Sequence, residues 1–278
     1  MGHSSYGYYY SNERVWGFNM LAANNISLTL SGQTILKEVS FEAPEGALVA
    51  IMGPNGAGKS SLLKVLSGDF PTTLDQVALN GKRLSHWTDG ALAQYRAVMP
   101  QSVQLNFAFT VEEVIEAGIR HPMPIAKRKA HILEMLAMFD VGHLHNRNYL
   151  TLSGGEQQRV QLARVLAQLE ATSASETKYL LLDECTSSLD LSHQHQVFRV
   201  LKEWISTRRA GVVVVLHDLN LAAQYANAIL LMDQGRVVEQ GAVRDVLKPK
   251  TLSDVYRYPV QVIEHPAGWP LVIADVSA

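Results

Sequence analysis

Residues 53–60 follow the pattern GxxxxGK[ST], between a continuous apolar run and a stretch with helical spacing of leucines. Glycines let backbone N–H groups surround a phosphate, and the start of the following helix favours anionic oxygens. Lys59 can reach β- and γ-phosphates, and the Ser60 hydroxyl can ligate Mg²⁺. The pattern therefore predicts a site for a Mg²⁺-bound nucleotide. The expected binding residues are Gly53, Pro54, Asn55, Gly56, Ala57, Gly58, Lys59, Ser60 and Ser61.

Two neighbouring carboxylates, Asp183 and Glu184, follow a second apolar run at residues 180–182. Consecutive side chains at the end of a strand point in different directions, so the two groups can serve different purposes. We expect Asp183 to hold Mg²⁺ and Glu184 to address the water that attacks the γ-phosphate. A polar strand end would explain the pair in isolation, but a phosphate loop upstream in the same chain favours the catalytic interpretation.

A third feature combines a helix cap with two glycines. Ser153 and Glu156 have capping-box spacing, and the amides of Gly154 and Gly155 would lie at the helix start, which gives a second anion site. An ordinary capped helix explains the serine and the glutamate but not the paired glycines. The string LSGGEQQR at residues 152–159 resembles the signature of ABC transporter ATP-binding subunits.

Other segments resemble the same family in the same order along the chain. Gln101, in VMPQSV, resembles the glutamine that senses Mg²⁺ and water and meets the permease; Asp190, in SLD, resembles the D-loop; His217, after VVVVL, resembles the switch histidine on the γ-phosphate. The resemblance implies catalysis by Glu184, His217 and Gln101, and Mg²⁺ held by Ser60, Gln101 and Asp183. ATP would be bound between two chains arranged head to tail. The residues implied to contact it from the second chain are Ser153, Gly154, Gly155 and Glu156, and Asp190 is also implied to bind the nucleotide.

Two positions depart from the family pattern. Cys185 occupies the place after Asp-Glu where the family usually has proline, which affects local stiffness. Leu30 falls where an aromatic residue usually stacks on adenine, so base recognition is left open although the phosphate chemistry is not. Trp16 and Phe18 are candidate replacements for the missing ring.

The elements that must position these residues alternate in type. Strand patterns occupy residues 26–30, 39–41, 48–52, 179–182, 212–216 and 229–232, the last continuing through a turn at 233–235 into 236–239. Residues 260–263 and 271–274 flank a Pro/Gly turn. Helical spacing dominates from 102 to 168, where one apolar face is predicted for Ile132, Leu133, Met135, Leu136 and Phe139. We expect an α/β P-loop NTPase (RecA-like) fold with a parallel-sheet core, antiparallel β elements and an inserted α-helical subdomain.

The expected domains are an N-terminal tail at 1–20 and an ABC ATPase domain at 21–278, with its helical subdomain at about 102–168. Met20 could be the natural start, so one interpretation of the tail is an addition to the natural chain.

The formal charge of −2 offers no basic field for nucleic acid. A single cysteine, Cys185, suits a reducing compartment. No window reaches the roughly 18 apolar residues of a spanning helix.

The subgroup is indicated by weaker signals. Residues 217–226 (HDLNLAAQYA) resemble importers of iron siderophores, haem and vitamin B12, and residues 106–110, 170–178 and 263–272 resemble haem import ATPases within that group. The implied assembly is an ATPase homodimer on an integral-membrane permease dimer, at the cytoplasmic face of the bacterial inner membrane, served indirectly by a periplasmic binding protein. Siderophore or vitamin B12 import and soluble iron–sulfur cluster assembly stay open as alternatives.

Overall fold

The structure is a computed structural model, and it describes residues 19–103, 105, 107–172 and 175–275. Most of the predicted tail at 1–20, including Trp16 and Phe18, lies outside these residues, as do Asn106 and part of the 170–178 insertion. The strands are β1 Met20–Leu30, β2 Gln33–Pro44, β3 Leu48–Met52, β4 Val77–Leu79, β5 Lys82–Arg83, β6 Arg96–Met99, β7 Lys178–Asp183, β8 Ala210–Val215, β9 Ala228–Asp233, β10 Arg236–Ala242, β11 Val260–Glu264 and β12 Pro270–Ala274.

The helices lie mainly between the strands of the core and in the segment before β7. Short 3₁₀ turns connect several of them. The helices are α1 Lys59–Ser67, α2 Asp89–Leu92, α3 Val111–Glu116, α4 Ile125–Met138, α5 Gly154–Glu170, α6 Leu191–Thr207, α7 Leu219–Tyr225, α8 Val243–Val246 and α9 Pro249–Tyr256.

The core is a six-stranded sheet in the order β10-β9-β3-β8-β7-β6. Strands β9, β3, β8, β7 and β6 are parallel, and β10 returns antiparallel to β9 through a turn at Gln234 and Gly235, both with positive φ. Strands β3 and β8 are buried at every residue, because helices or a second sheet cover both faces. The predicted α/β fold with a parallel-sheet core is confirmed.

Alternate residues of the core strands serve two hydrophobic cores. Leu48, Ala50 and Met52 pack on the side of α3–α7, whereas Val49 and Ile51 pack on the side of α1 and the antiparallel sheet β2-β1-β4-β5. This alternation follows from the two-residue period of a strand. Because β3, β7 and β8 run parallel, their carboxyl ends lie at one edge of the sheet, and the loops that carry the predicted site residues leave the sheet there.

Helices α3, α4 and α5 pack against one another between β6 and β7. The predicted apolar face of α4 holds for Ile132, Met135, Leu136 and the following Phe139, which are all buried. Leu133 was assigned to the same face, and that assignment is wrong, because its side chain is 54% exposed. In the part of the chain that the structure describes, no helix combines the length and the apolar character needed to cross a bilayer.

Candidate active site

The phosphate loop connects the buried strand β3 to α1, and two of its glycines are required by geometry. Gly53 has φ 143°, and a Cβ there would lie 2.1 Å from the Met232 carbonyl oxygen of β9. Gly58 has φ 97° and precedes the first helical residue, Lys59. Asn55 and Gly56 are exposed at the tip of the loop, where a phosphate can approach.

Lys59 is folded over this loop. Its ammonium donates hydrogen bonds to the carbonyl oxygens of Gly53 at 2.8 Å and Pro54 at 2.9 Å. Burial holds the pKa of Lys59 below its usual value, although the nearby charges of Glu184 and Asp183 raise it. The loop therefore carries a nearly enclosed cation whose present partners are neutral carbonyls, and phosphate oxygens would be stronger acceptors for it.

Ser60 and Asp183 meet across the junction of α1 and β7. The Ser60 hydroxyl donates to a carboxylate oxygen of Asp183 at 3.1 Å, and Asp183 is only 4% exposed. Burial raises the pKa of the Asp183 carboxyl, against the effect of the Ser60 hydrogen bond. An oxygen pair with one carboxylate, beside a phosphate loop, fits the way Mg²⁺ is usually bound, by one or two protein oxygens together with phosphate oxygens and water.

Glu184 lies between the two other predicted catalytic residues. Gln101 Nε2 donates to one carboxylate oxygen at 2.8 Å, and His217 Nε2 is 2.6 Å from the other. The backbone of Glu184 has φ 52°, a left-handed conformation that turns the chain away from β7 immediately after Asp183. Three residues from three different strand ends, at positions 101, 184 and 217, are therefore brought together around one carboxylate.

The signature segment forms the capped start of α5. The Ser153 hydroxyl accepts from the Glu156 N–H, and Glu156 accepts from the Ser153 N–H at 2.7 Å and the Ser153 hydroxyl at 2.8 Å. These hydrogen bonds hold the pKa of Glu156 below its usual range. Ser153 and Gly154 are exposed, and a Cβ on Gly155 would lie 3.0 Å from the Ser188 carbonyl oxygen. The predicted cap is present, and it faces outward.

Asp190 caps α6. Its carboxylate accepts from the His193 N–H at 2.9 Å and lies 2.7 Å from His193 Nδ1. The backbone hydrogen bond from His193 is the main reason why the pKa of Asp190 is lowered. Within the chain, Asp190 is thus engaged with its own helix, and its predicted contact with a nucleotide stays a prediction.

Sequence reasoning missed Gln158. This residue is buried, and its amide bridges two loops, donating to the Glu184 carbonyl oxygen at 3.0 Å and accepting from the Ser188 N–H at 3.1 Å. A glutamine on the buried face of α5 is the signal that could have revealed it, because a buried amide needs partners.

The two departures from the family pattern have different environments. Cys185 is fully buried, and burial raises the pKa of its thiol to about 12, so the side chain is a neutral packing group. Leu30 ends β1 and is 38% exposed. A leucine offers no aromatic face for a base, so the expected stacking platform is absent at this position.

Comparison with known proteins agrees with this geometry. A sequence profile described as ABC transporter matches residues 36–187. The hemin import ATP-binding protein HmuV of Hydrogenovibrio crunogenus is 51% identical over 91% of this chain and 99% of its own. The HmuV protein of Escherichia coli O157:H7 is 43% identical, covering 92% of this chain and all of the relative.

Solved structures share the fold. The dimeric bacterial ABC transporter cassette MJ0796 has a TM-score of 0.69 and 26% identity, covering 81% of this chain and 99% of that one. A metal-chelate type ABC transporter in an inward-facing conformation has a TM-score of 0.73 at 24% identity, covering 93% and 98%. The phosphate loop, the carboxylates at the end of β7 and the capped start of α5 are thus found within a shared architecture, and the chain belongs to the ABC transporter family.

Proposed function

We propose that this chain is the ATP-hydrolysing subunit of an ABC importer that powers haem uptake across the bacterial inner membrane through a permease dimer. The observation that carries the proposal is the placement of Glu184 between Gln101 and His217, next to the phosphate loop and Asp183. A carboxylate held in this way can orient and polarise a water molecule in line with a γ-phosphate.

Each residue then has a defined task. Lys59 exchanges the carbonyl oxygens of Gly53 and Pro54 for β- and γ-phosphate oxygens, with the loop amides around the β-phosphate. Ser60 and Asp183 would hold Mg²⁺, which neutralises phosphate charge when it is bound. His217 leaves Glu184 to donate to a γ-phosphate oxygen, and Gln101 positions the water.

The active site is proposed to need two chains. Ser153 and Gly154 are exposed at the start of α5, and their helix end is suited to an anion that its own chain does not supply. A partner placed head to tail would bring this end over the phosphates held by residues 53–61. MJ0796, which has the same fold, forms a dimeric cassette. Binding of ATP would close the dimer and hydrolysis would reopen it.

The permease is proposed to dock beside Gln101 and the helical segment. Phe107 and Phe109 are 71% and 42% exposed, with ring centroids 6.1 Å apart in an edge-to-face arrangement. Farther along the segment, a cavity of about 450 Å³ opens between the start of α4 and the end of α5. Exposed aromatic side chains are typical of protein-docking surfaces.

Haem is proposed as the cargo because the two relatives compared above, at 51% and 43% identity, are named hemin import ATP-binding proteins. The cargo would be handled by the permease and, indirectly, by a periplasmic binding protein. The ATPase subunit itself would be a peripheral protein on the cytoplasmic face of the membrane.

The experiment is purification of the chain from membranes together with its permease, followed by reconstitution in liposomes. We expect a polytopic membrane protein to co-purify, and Mg-ATP to drive haem accumulation that Glu184→Gln abolishes. Accumulation of a siderophore or of vitamin B12 instead of haem would reject the cargo. Recovery of a soluble iron–sulfur assembly complex without a membrane protein would reject the transporter assignment.

A further inference from the structure

The C-terminal hairpin of β11 and β12 is attached to the helix that follows His217. The side-chain amide of Asn220, in α7, makes two hydrogen bonds to the backbone of Val272 in β12. Its Nδ2 donates to the Val272 carbonyl oxygen at 3.1 Å, and its Oδ1 accepts from the Val272 N–H at 2.7 Å. One amide thus satisfies both backbone groups of a strand residue, in the way that a neighbouring strand would.

The attachment point is buried and specific. Val272 is 8% exposed and belongs to the same hydrophobic core as Leu221 and Ala222 of α7. It lies opposite Val262 of β11, and both of its backbone polar groups bond to Asn220. Loss of the amide would leave buried backbone groups without partners.

The same segment carries His217. Asp218 caps α7, and its carboxylate accepts from the N–H groups of Asn220 at 2.8 Å and Leu221 at 3.0 Å. The residues from 217 to 221 therefore form one tight turn, with His217 against Glu184 at one end and Asn220 against β12 at the other. A shift of α7 relative to the hairpin would move the imidazole away from the carboxylate.

We propose that Asn220 is a positioning residue for ATP hydrolysis: by fastening the His217 turn to the backbone of Val272, it makes the C-terminal hairpin the support against which the switch histidine is aligned. The proposal rests on the function proposed above. It adds a structural task for residues 260–274, which follow the segment that carries the phosphate and signature motifs. The Asn220 amide bonds to the backbone of Val272, so it would act on the reaction only through His217.

The test compares Asn220→Ala with Asn227→Ala. Asn227 follows α7, and its side chain accepts from the Leu48 N–H at 2.9 Å, so the control also deletes an amide bound to backbone, at the opposite end of the same helix. We expect Asn220→Ala to lower kcat about tenfold or more while the Kd for ATP stays within about twofold, as lost alignment costs turnover rather than binding. Asn227→Ala should lower thermal stability to a similar degree but keep kcat within about twofold.

A second measurement separates positioning from general weakening of the fold. In a His217→Ala background, Asn220→Ala should change the single-turnover rate less than about twofold, because the group that it aligns is already gone. An equal loss in both backgrounds, or a kcat for Asn220→Ala within twofold of wild type, would overturn the proposal. If Asn220→Ala folds poorly, Asn220→Asp takes its place in the test. The aspartate keeps the size of the side chain but places a carboxylate oxygen against the Val272 carbonyl, so it should lower kcat to the same degree.

Failure of the underlying function gives a different result. Glu184→Gln, measured in parallel, should eliminate turnover in every background. If it hydrolyses ATP at the wild-type rate, the proposed ATPase mechanism fails and the alignment proposal fails with it. If it is inactive and only the Asn220 variants behave like wild type, the ATPase mechanism stands and the hairpin has no part in it.

Discussion

The phosphate end of the molecule and the signature end both use the start of a helix, but they differ in what surrounds it. At the start of α1, Lys59 is 6% exposed and Ser60 is bonded to Asp183, so the chain closes on itself around the expected phosphates. At the start of α5, Ser153 and Gly154 are exposed, and the polar side chains of the cap bond to each other.

The difference distinguishes the parts of the proposed ATP site that one chain forms by itself from the part that would need a second chain. Folding of one chain assembles the phosphate loop, the proposed Mg²⁺ ligands and the proposed catalytic carboxylate, because they all lie at the carboxyl edge of one parallel sheet. The capped start of α5 is complete within the chain, and in the proposed dimer it would face a phosphate held by the partner chain.

Glu184→Gln tests the part of the site that one chain forms by itself, the proposed catalytic carboxylate. An amide fills the same volume and can still contact Gln101 and His217, but it cannot act as a base, so we expect turnover to fall about 100- to 10,000-fold with ATP affinity retained. Steady-state hydrolysis and equilibrium ATP binding measure the two quantities, and ATP should shift the variant from monomer to dimer. Hydrolysis at the wild-type rate would show that Glu184 is not the catalytic carboxylate.

Mixing two inactive variants tests whether the start of α5 acts on a nucleotide held by the partner chain. Lys59→Ala removes a charge from the phosphates, and Ser153→Arg obstructs the start of α5, so each homodimer has two defective sites. A mixed dimer combines both lesions in one site and leaves the other intact. With random pairing, roughly a quarter of all sites should be whole.

Recovery of ATPase activity on mixing, or trapping of one nucleotide per mixed dimer, is the expected result. Exchange of chains must be demonstrated independently, by a tag on one variant. If exchange occurs and neither turnover nor trapping returns, the signature helix does not act on the partner's nucleotide.

We expect the chain to discriminate only weakly between ATP and GTP. Leu30 lacks a ring at the position where the family usually stacks adenine, and one lost stack corresponds to about 1 kcal/mol. We expect GTP to compete within about tenfold of ATP, and Leu30→Tyr to sharpen the preference for ATP by a similar factor. A preference for ATP above a thousandfold in the wild type, measured by competition, would show that another ring has taken over.

The last prediction compares variants in two capping boxes, and the expected changes in stability are small. Thr110 and Glu113 at the start of α3 reproduce the geometry of Ser153 and Glu156 at the start of α5, with carboxylate contacts of 2.7 and 2.9 Å. Glu113→Ala and Glu156→Ala should each lower Tm slightly and to a similar extent, because each removes one half of a capping box at an exposed helix start. Only Glu156→Ala should also lower the ATPase rate. Equal loss of activity in both variants would mean that the second cap has no catalytic task.

Much of the site could be predicted from the sequence because its parts follow strong local patterns. The GxxxxGK[ST] loop, the carboxylates after β7 and the histidine after β8 are each marked by a buried strand, and parallel strands bring their carboxyl ends to one edge. The short strands β4, β5 and β6 were not predicted, since they have few residues and no sustained alternation. Gln158 and Asn220 were not assigned connecting tasks, because side-chain bonds to distant backbone depend on tertiary packing rather than on local sequence.

The bridge made by Gln158 has a consequence for cooperativity. In the proposed dimer, the start of α5 senses the nucleotide of one site, whereas Glu184 of the same chain serves the other. Gln158 lies in α5 and bonds directly to the backbone at Glu184 and at Ser188. In that dimer, Gln158 would therefore couple the engagement of one nucleotide to the position of the carboxylate that serves the second, so the two sites would not turn over independently.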